Sequence, residues 1–228
     1  WRNTPVRFKK YDLIMDEEIT IIDTKTRNEK IKNFFIENKK KLISAIAFLI
    51  LIILSFYSYQ IYKDGHRKSL SEKYNSAIIE YKNGNKNETI SSMKEVIEDK
   101  DSTYSPLALY FLIDNNLIEN KDEVNDLYDI IINKTSLESE IKNLIIYKKA
   151  LYNADFSNES ELLDILNPII NSESVWKSHA LYLVAEYFYS KNEKKKSKEF
   201  FTEVINTKNA NQNIVKEAQK RLNRDLSE

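Results

Sequence analysis

The 228-residue sequence contains no cysteine, only two glycines and only three prolines. Without cysteine the chain has no disulfide, no cysteine-ligated zinc or iron–sulfur centre and no thiol nucleophile. Gly65 and Gly84 are too few for a loop that cradles phosphates, which excludes the P-loop and dinucleotide-binding fingerprints. Scarce glycine and proline, together with 31% charged residues, favour long helices over a turn-rich β fold. We therefore expect an all-α protein.

An excess of charge of one sign is also missing. The 35 basic and 35 acidic residues balance, so we expect no nucleic-acid partner. The charge is unevenly distributed, however. Residues 1–62 hold 11 basic and 7 acidic side chains, whereas residues 63–228 hold 24 basic and 28 acidic ones. The first part is therefore net positive and the second net negative.

The sequence does contain one long hydrophobic run. Residues 42–62 carry no charge, and Leu42–Tyr57 is almost wholly aliphatic. A run of about 20 apolar residues matches a hydrocarbon core of ~30 Å, so we predict a transmembrane helix over residues 42–62 that contacts the lipid bilayer. The alternatives are a buried core helix, which the polar remainder could not surround, and a cleaved signal peptide, whose small-x-small site is missing.

Basic residues beside the run predict its orientation. Six lie in residues 27–41 and four in residues 63–77, so the N-terminus is expected in the cytoplasm. We also hypothesise that translation starts at Met15, which would leave residues 1–14 outside the protein. The expected regions are a cytoplasmic tail (1–41), a transmembrane helix (42–62) and an extracytoplasmic domain (63–228).

The part of the chain after the hydrophobic run repeats itself. At an offset of 108 residues the matching pairs are Tyr74/Tyr182, Ala77/Ala185, Tyr81/Tyr189, Thr89/Ser197, Met93/Phe201 and Val96/Val204. An offset of 73 residues gives a second match that includes Tyr147 and Ala150, and Tyr110 lies 36 residues after Tyr74. Four units of about 36 residues therefore fill residues 70–207. A mostly polar last helix, Asn213–Leu226, would cap the open end.

Each unit is predicted as two helices joined by a turn. In the first unit the turn falls at Asn83–Asn85, Ala77 and Thr89 are the small residues where the helices approach, and Met93 fills the seam. Pro168 should end or kink the second helix of the third unit. Polar caps followed three residues later by glutamate predict helix starts at 120–123, 135–138 and 158–161.

These hairpins resemble the tetratricopeptide repeat in length and in the placement of small residues, although the glycine of that family's first helix is missing. The resemblance implies an α-solenoid of about four hairpins and a C-terminal capping helix. The whole layout is similar to the YfgM-type family of bacterial inner-membrane proteins. The stretches that carry this resemblance are SEKYNSAIIEYKNGNKNETISSMKEVI, SPLALYFLI, and LLDILNPIINSESVWKSHALYLVAEYFYSKNEKKKSKEFFTEVI followed by EAQKRL.

Similarity to that family implies an ancillary subunit of the Sec translocon, with its repeat domain in the periplasm. The expected partners are the translocon, exported polypeptides and periplasmic chaperones. No catalytic, cofactor-binding or metal-binding residue comes with the resemblance. A second hypothesis keeps the same scaffold but assigns it to another envelope machine, for cytochrome maturation, outer-membrane assembly or cell-wall synthesis.

Residues able to perform catalysis are few. His179 is the only histidine within the repeats, and a general base needs a nucleophile and an orienting acid nearby. On a helix, Ser178 points about 100° away from His179, and Glu186 lies about two turns further on. We therefore predict a protein that is not an enzyme and that uses no cofactor and no metal.

Six tyrosines recur on the first helices of the units: Tyr74, Tyr81, Tyr110, Tyr147, Tyr182 and Tyr189. In helical-hairpin arrays the first helices line the concave face. A groove lined by tyrosines would bind a peptide through flat ring contacts and hydroxyl hydrogen bonds. The alternative is that most of these rings pack between helices, because aromatic residues dominate protein cores. The sequence leaves both alternatives open.

Overall fold

The computed structural model describes residues 26–226, and the hypothesised start at Met15 lies outside them. Over the described residues all regular secondary structure is helical, as expected. The helices are α1 (residues 26–37), α2 (Lys39–Lys82), α3 (Lys86–Glu98), α4 (Tyr104–Asp114), α5 (Lys121–Lys134), α6 (Ser139–Asn153), α7 (Glu159–Ile170), α8 (Lys177–Ser190), α9 (Lys194–Asn206) and α10 (Gln212–Asp225).

The chain divides into two compact units, one ending at Gly65 and the other beginning at His66. Helix α2 contains an 18-residue window with a mean hydropathy of 2.3, none of which is buried inside the protein. By length and composition this helix is able to cross a membrane. The apolar run and the first hairpin helix, which we treated as separate elements, belong to one 44-residue helix. No proline occurs in it to interrupt the backbone hydrogen bonds.

The second unit is a succession of helices, and from α3 onward each packs against the next along the chain. Further contacts skip one helix and join α3 to α5, α6 to α8 and α8 to α10. One buried cluster runs from Leu70 in α2 to Phe188 in α8, and a second surrounds Phe201 and Ala218. The predicted last helix is α10, which begins one residue earlier than expected and packs on α8 and α9.

The offset of 108 residues found in the sequence also holds in the backbone. Helices α3 and α9 coincide end for end at this offset. The turn before each helix contains a residue with positive φ, Gly84 at 90° and Asn192 at 61°. In both turns the next N–H donates at 2.9 Å to a carbonyl five residues back, which is the closing bond of a Schellman motif. The first and last hairpins therefore turn in the same way, although their sequences differ.

The predicted close approach of the first two hairpin helices is confirmed. Ala77 and Thr89 are buried, and the Thr89 hydroxyl donates to the Ala77 carbonyl oxygen at 3.2 Å. Met93 is fully buried beside them, as the seam position requires. The matching residues of the last hairpin, Ala185 and Ser197, are buried too. Small side chains let two helix backbones come this close.

Two of the three predicted helix caps are confirmed. Asn158 forms a reciprocal capping box with the glutamate at position 161, and the Asn120 side chain accepts from two backbone N–H groups. The prediction for 135–138 is wrong, because Thr135 ends α5 in an extended conformation and α6 begins with Glu138 as its N-cap. Local cap patterns cannot distinguish these two uses of a threonine.

Of the two outcomes predicted for Pro168, an end or a kink of the helix, an end at this residue does not occur in α7. The helix continues two residues further, to Ile170. Proline removes the hydrogen bond to the carbonyl four residues earlier, that of Asp164. Both residues are exposed, so water is available to that carbonyl.

Candidate functional site

The six tyrosines singled out from the sequence lie on α2, α4, α6 and α8, and all six are partly buried. The structure does not gather them into one cluster. Instead, each ring contacts a side chain from a later part of the chain. The contacts of the first four tyrosines connect successive first helices of the hairpins, and those of the last two connect α8 to α9 and α10.

The tyrosines of α2 contact α4. The ring of Tyr74 lies 5.8 Å from that of Tyr104, measured between centroids. The ring of Tyr81 meets Phe111 edge to face at 5.3 Å. Such aromatic pairs are each worth about 0.5–1.5 kcal/mol beyond the area they bury. These two tyrosines therefore help to dock α4 onto the end of α2.

Tyr110 of α4 contacts α6 through a cation. The ammonium of Lys148 lies 4.2 Å from the centre of the Tyr110 ring, within the range of a cation–π interaction. Burial, reinforced by the negative charge of Asp114, raises the pKa of the Tyr110 hydroxyl above its ordinary value. This hydroxyl is therefore neutral at physiological pH, and its ring serves as a packing surface between α4 and α6.

Tyr147 of α6 contacts the start of α8. Its ring stacks on Trp176 at 5.9 Å between centroids and meets His179 edge to face at 5.9 Å. The rings of Trp176 and His179 are 5.1 Å apart. Burial lowers the pKa of His179 below its ordinary value, although a hydrogen bond with the backbone of Val175 opposes this shift. The imidazole thus belongs to an aromatic cluster that favours its neutral form.

The tyrosines of α8 contact α9 and α10. Tyr182 packs edge to face on Phe201 at 5.3 Å, and burial together with the adjacent Glu186 raises its pKa to about 12. The Arg221 guanidinium lies 4.3 Å from the Tyr189 ring centre, and its Nε donates to Glu186 Oε1 at 2.7 Å. The capping helix is therefore tied to α8 by an arginine that bridges a ring and a carboxylate.

Sequence reasoning missed two leucines beside these tyrosines. Leu107 lies one turn before Tyr110, and Leu151 lies one turn after Tyr147, so each shares a helix face with its tyrosine. Leu107 is 42% exposed and Leu151 is 53% exposed. The spacing was readable from the sequence, but their exposure depends on how the helices pack. The tyrosines and these leucines together form what we call the tyrosine strip.

Ser178, the neighbour of His179, has a structural role. Ser178 is buried, and its hydroxyl oxygen accepts from the backbone N–H of Asn211 at 3.2 Å. The hydroxyl therefore positions the residue that caps α10. Over residues 26–226, no group of three or more histidine, aspartate or glutamate side chains is arranged to hold a metal ion.

No protein-family model matches the chain, and comparisons with curated proteins and with solved structures give no match either. The fold, the apolar helix and the tyrosine strip are therefore the features of this chain that bear on its function.

Proposed function

We propose that this protein is a membrane-anchored interaction subunit without enzymatic activity, whose hairpin domain is a solenoid of the tetratricopeptide type that binds other polypeptides. The tyrosine strip is the observation that carries this proposal. It combines aromatic rings held in place by their neighbours with leucines that remain open to solvent. Aromatic anchors surrounded by apolar contacts are typical of protein-binding surfaces.

The way the rings are held bears on how such a surface would bind. Tyr81, Tyr147 and Tyr189 each pack against a residue of a neighbouring helix, so they lose little freedom when a peptide arrives. A surface that is already ordered pays less conformational entropy on binding. Leu107 and Leu151 then supply the apolar area that a polypeptide would cover.

The membrane part of the proposal rests on α2. Its apolar run would cross the bacterial inner membrane, with the N-terminus in the cytoplasm and the hairpin domain in the periplasm. The excess of basic residues before the run supports this orientation. Tethering beside the exit of the Sec translocon would raise the domain's effective concentration there, so that weak binding of exported polypeptides or chaperones suffices.

Site-specific photocrosslinking tests the binding surface. A photoreactive residue replaces Leu107 or Leu151, and matched controls replace Asp126 on α5 or Thr202 on α9, both exposed on second helices. We expect the strip positions to trap polypeptides in intact cells and the control positions to trap few. Trapping from the second helices alone would contradict the assignment of the strip.

Purification in mild detergent tests the partner. Recovery of translocon components with the protein would support the proposed location beside the Sec translocon. Stable recovery of another envelope machine, for cytochrome maturation, outer-membrane assembly or cell-wall synthesis, would assign the protein to that machine. The interaction role would be unchanged. Hydrolase turnover that is lost in a His179→Ala variant would contradict the absence of enzymatic activity.

A further inference from the structure

Helix α1, which precedes the apolar run, has an apolar side of its own. Ile31, Phe34 and Phe35 are spaced i, i+3 and i+4, so they share one face of the helix. Their exposed fractions are 48%, 56% and 57%, and the two phenylalanine rings touch edge to face at 6.0 Å. Glu29 and Asn33 fall on the opposite side, as does Ile36, which is 63% exposed. Large exposed apolar side chains collected on one face mark an interaction surface.

The charge around this face is strongly positive. Residues 26–41 contain six basic and two acidic side chains. Three of the basic residues, Lys39, Lys40 and Lys41, come directly before the uncharged run that starts at Leu42. A helix with aromatic residues on one side and lysines around them is suited to the interface of an anionic membrane. Each lysine near such a surface adds attraction to the lipid phosphates.

One turn residue separates α1 from α2. Asn38 is the single position between residues 26 and 82 that is not helical. Its side-chain Nδ2 and its backbone N–H both donate to the Phe34 carbonyl oxygen, each at 3.0 Å. An asparagine side chain that competes for a backbone acceptor weakens the helix at that point. The Leu42 N–H donates to the Asn38 carbonyl oxygen at 2.9 Å, so helical backbone hydrogen bonds are present on both sides of this turn residue.

We infer that α1 lies on the anionic surface of the bilayer, with Ile31, Phe34 and Phe35 among the headgroups and acyl boundary. Two observations select lipid as the occupant of this face: the positive charge around it and its continuity with the apolar run of α2. The inference rests on the proposed membrane anchor, because the apolar run of α2 is what would hold α1 beside the bilayer.

The experiment exploits the absence of cysteine. Single-cysteine variants of the full chain carry an environment-sensitive fluorophore at Phe35→Cys, at Asn33→Cys on the opposite side of α1, or at Ile50→Cys within the apolar run. Each protein is reconstituted into vesicles of phosphatidylcholine alone or with added phosphatidylglycerol. Iodide quenches labels in water, and a lipid spin-labelled near its headgroup quenches labels at the interface.

In the anionic vesicles we expect the Phe35 label to be quenched by the spin-labelled lipid and shielded from iodide, and the Asn33 label to behave in the opposite way. Replacing Lys30 and Lys32 by glutamine should lower the ratio of interfacial to water-exposed Phe35 label about fivefold per lysine. The same ratio should be lower in phosphatidylcholine alone.

Three outcomes would overturn the inference, and they are distinguishable. A Phe35 label as open to iodide as the Asn33 label, with the Ile50 label shielded, would mean that the anchor holds and that α1 stays in water. Full shielding of the Phe35 label without quenching by the spin-labelled lipid would assign the face to protein instead. An Ile50 label open to iodide would contradict the membrane anchor itself.

Discussion

The two units of the chain use the same large apolar residues in opposite ways. Phe48 and Phe56 in the apolar run are 65% and 64% exposed, whereas Phe188 and Phe201 in the hairpins are 1% and 0% exposed. The sequence around them differs in pattern: an unbroken run in one unit, and apolar residues spaced among charges in the other. The apolar residues of the hairpins are covered by a protein core, whereas those of the run are not covered by the protein and have the length and composition to cross a bilayer.

Charge inside the apolar run should have the largest effect. Replacing both Ile50 and Ile53 by arginine should raise the cost of insertion by about 5 kcal/mol or more, since each arginine near the centre of a span costs ~2.5–3.5 kcal/mol. We expect the variant to leave the membrane fraction after cell lysis. The matched control, Leu107→Arg on an exposed position of the hairpins, should stay with the membrane. Equal retention of both variants would remove the distinction between the two units.

Removing a buried ring from the hairpins should have the second largest effect. Phe201→Ala should lower the free energy of unfolding by about 3–5 kcal/mol, because it opens a cavity against Tyr182 and Ala218. Phe48→Ala in the apolar run should leave that free energy unchanged. Urea unfolding in detergent, followed by Trp176 fluorescence in a Trp1→Phe background, measures both variants. A similar loss for the two substitutions would contradict the comparison.

Two alanines of the same helix offer a sharper test. Ala77 is 1% exposed beneath Thr89, whereas Ala45 in the apolar run is exposed. Ala77→Leu should cost about 1–3 kcal/mol of unfolding free energy, because the added atoms overfill a close helix crossing. Ala45→Leu should cost nothing by the same measurement. If Ala77→Leu were also neutral, the close approach of α2 and α3 would be wrong.

The smallest effect concerns pH and is confined to the hairpins. Burial lowers the pKa of His179, so at pH values well above 6.5 both folded and unfolded chains hold it neutral. As the pH falls below 6.5 the unfolded chain takes up the proton first, and stability is lost until the folded pKa is also passed. Between pH 7.5 and 5.5 the protein should therefore lose more unfolding free energy than a His179→Asn variant. Parallel losses would show that the aromatic cluster does not disfavour the charged imidazole.

Local sequence patterns predicted much of this fold, because several of its features depend on residues that are close in sequence. The turn at Gly84 and the cap at Asn158 depend on residues a few positions apart, and the close approach of Ala77 and Thr89 on residues 12 positions apart. The 108-residue offset predicted equivalent helices for a related reason. Equivalent positions in two hairpins pack in similar surroundings and therefore carry similar residues. The all-helical class follows from the near absence of glycine and proline.

The features that sequence reasoning missed depend on tertiary contacts or on a continuous backbone. No local sequence pattern indicates that the apolar run and the first hairpin helix form one helix. Gly65 lies between them, and a glycine weakens a helix without necessarily ending it. The partners of the tyrosines, such as Lys148 and Arg221, lie more than 30 residues away in sequence. Helix α1 was assigned only to a tail, although its i, i+3, i+4 spacing was readable.

An alkaline carbonate wash of membranes that contain the intact protein tests the central claim most directly. We predict that the whole chain stays in the pellet, because lipid would surround the apolar helix and the hairpin domain is covalently attached to it. Release of the intact chain into the supernatant would contradict the account, since the exposed apolar residues of α2 would then need a protein partner.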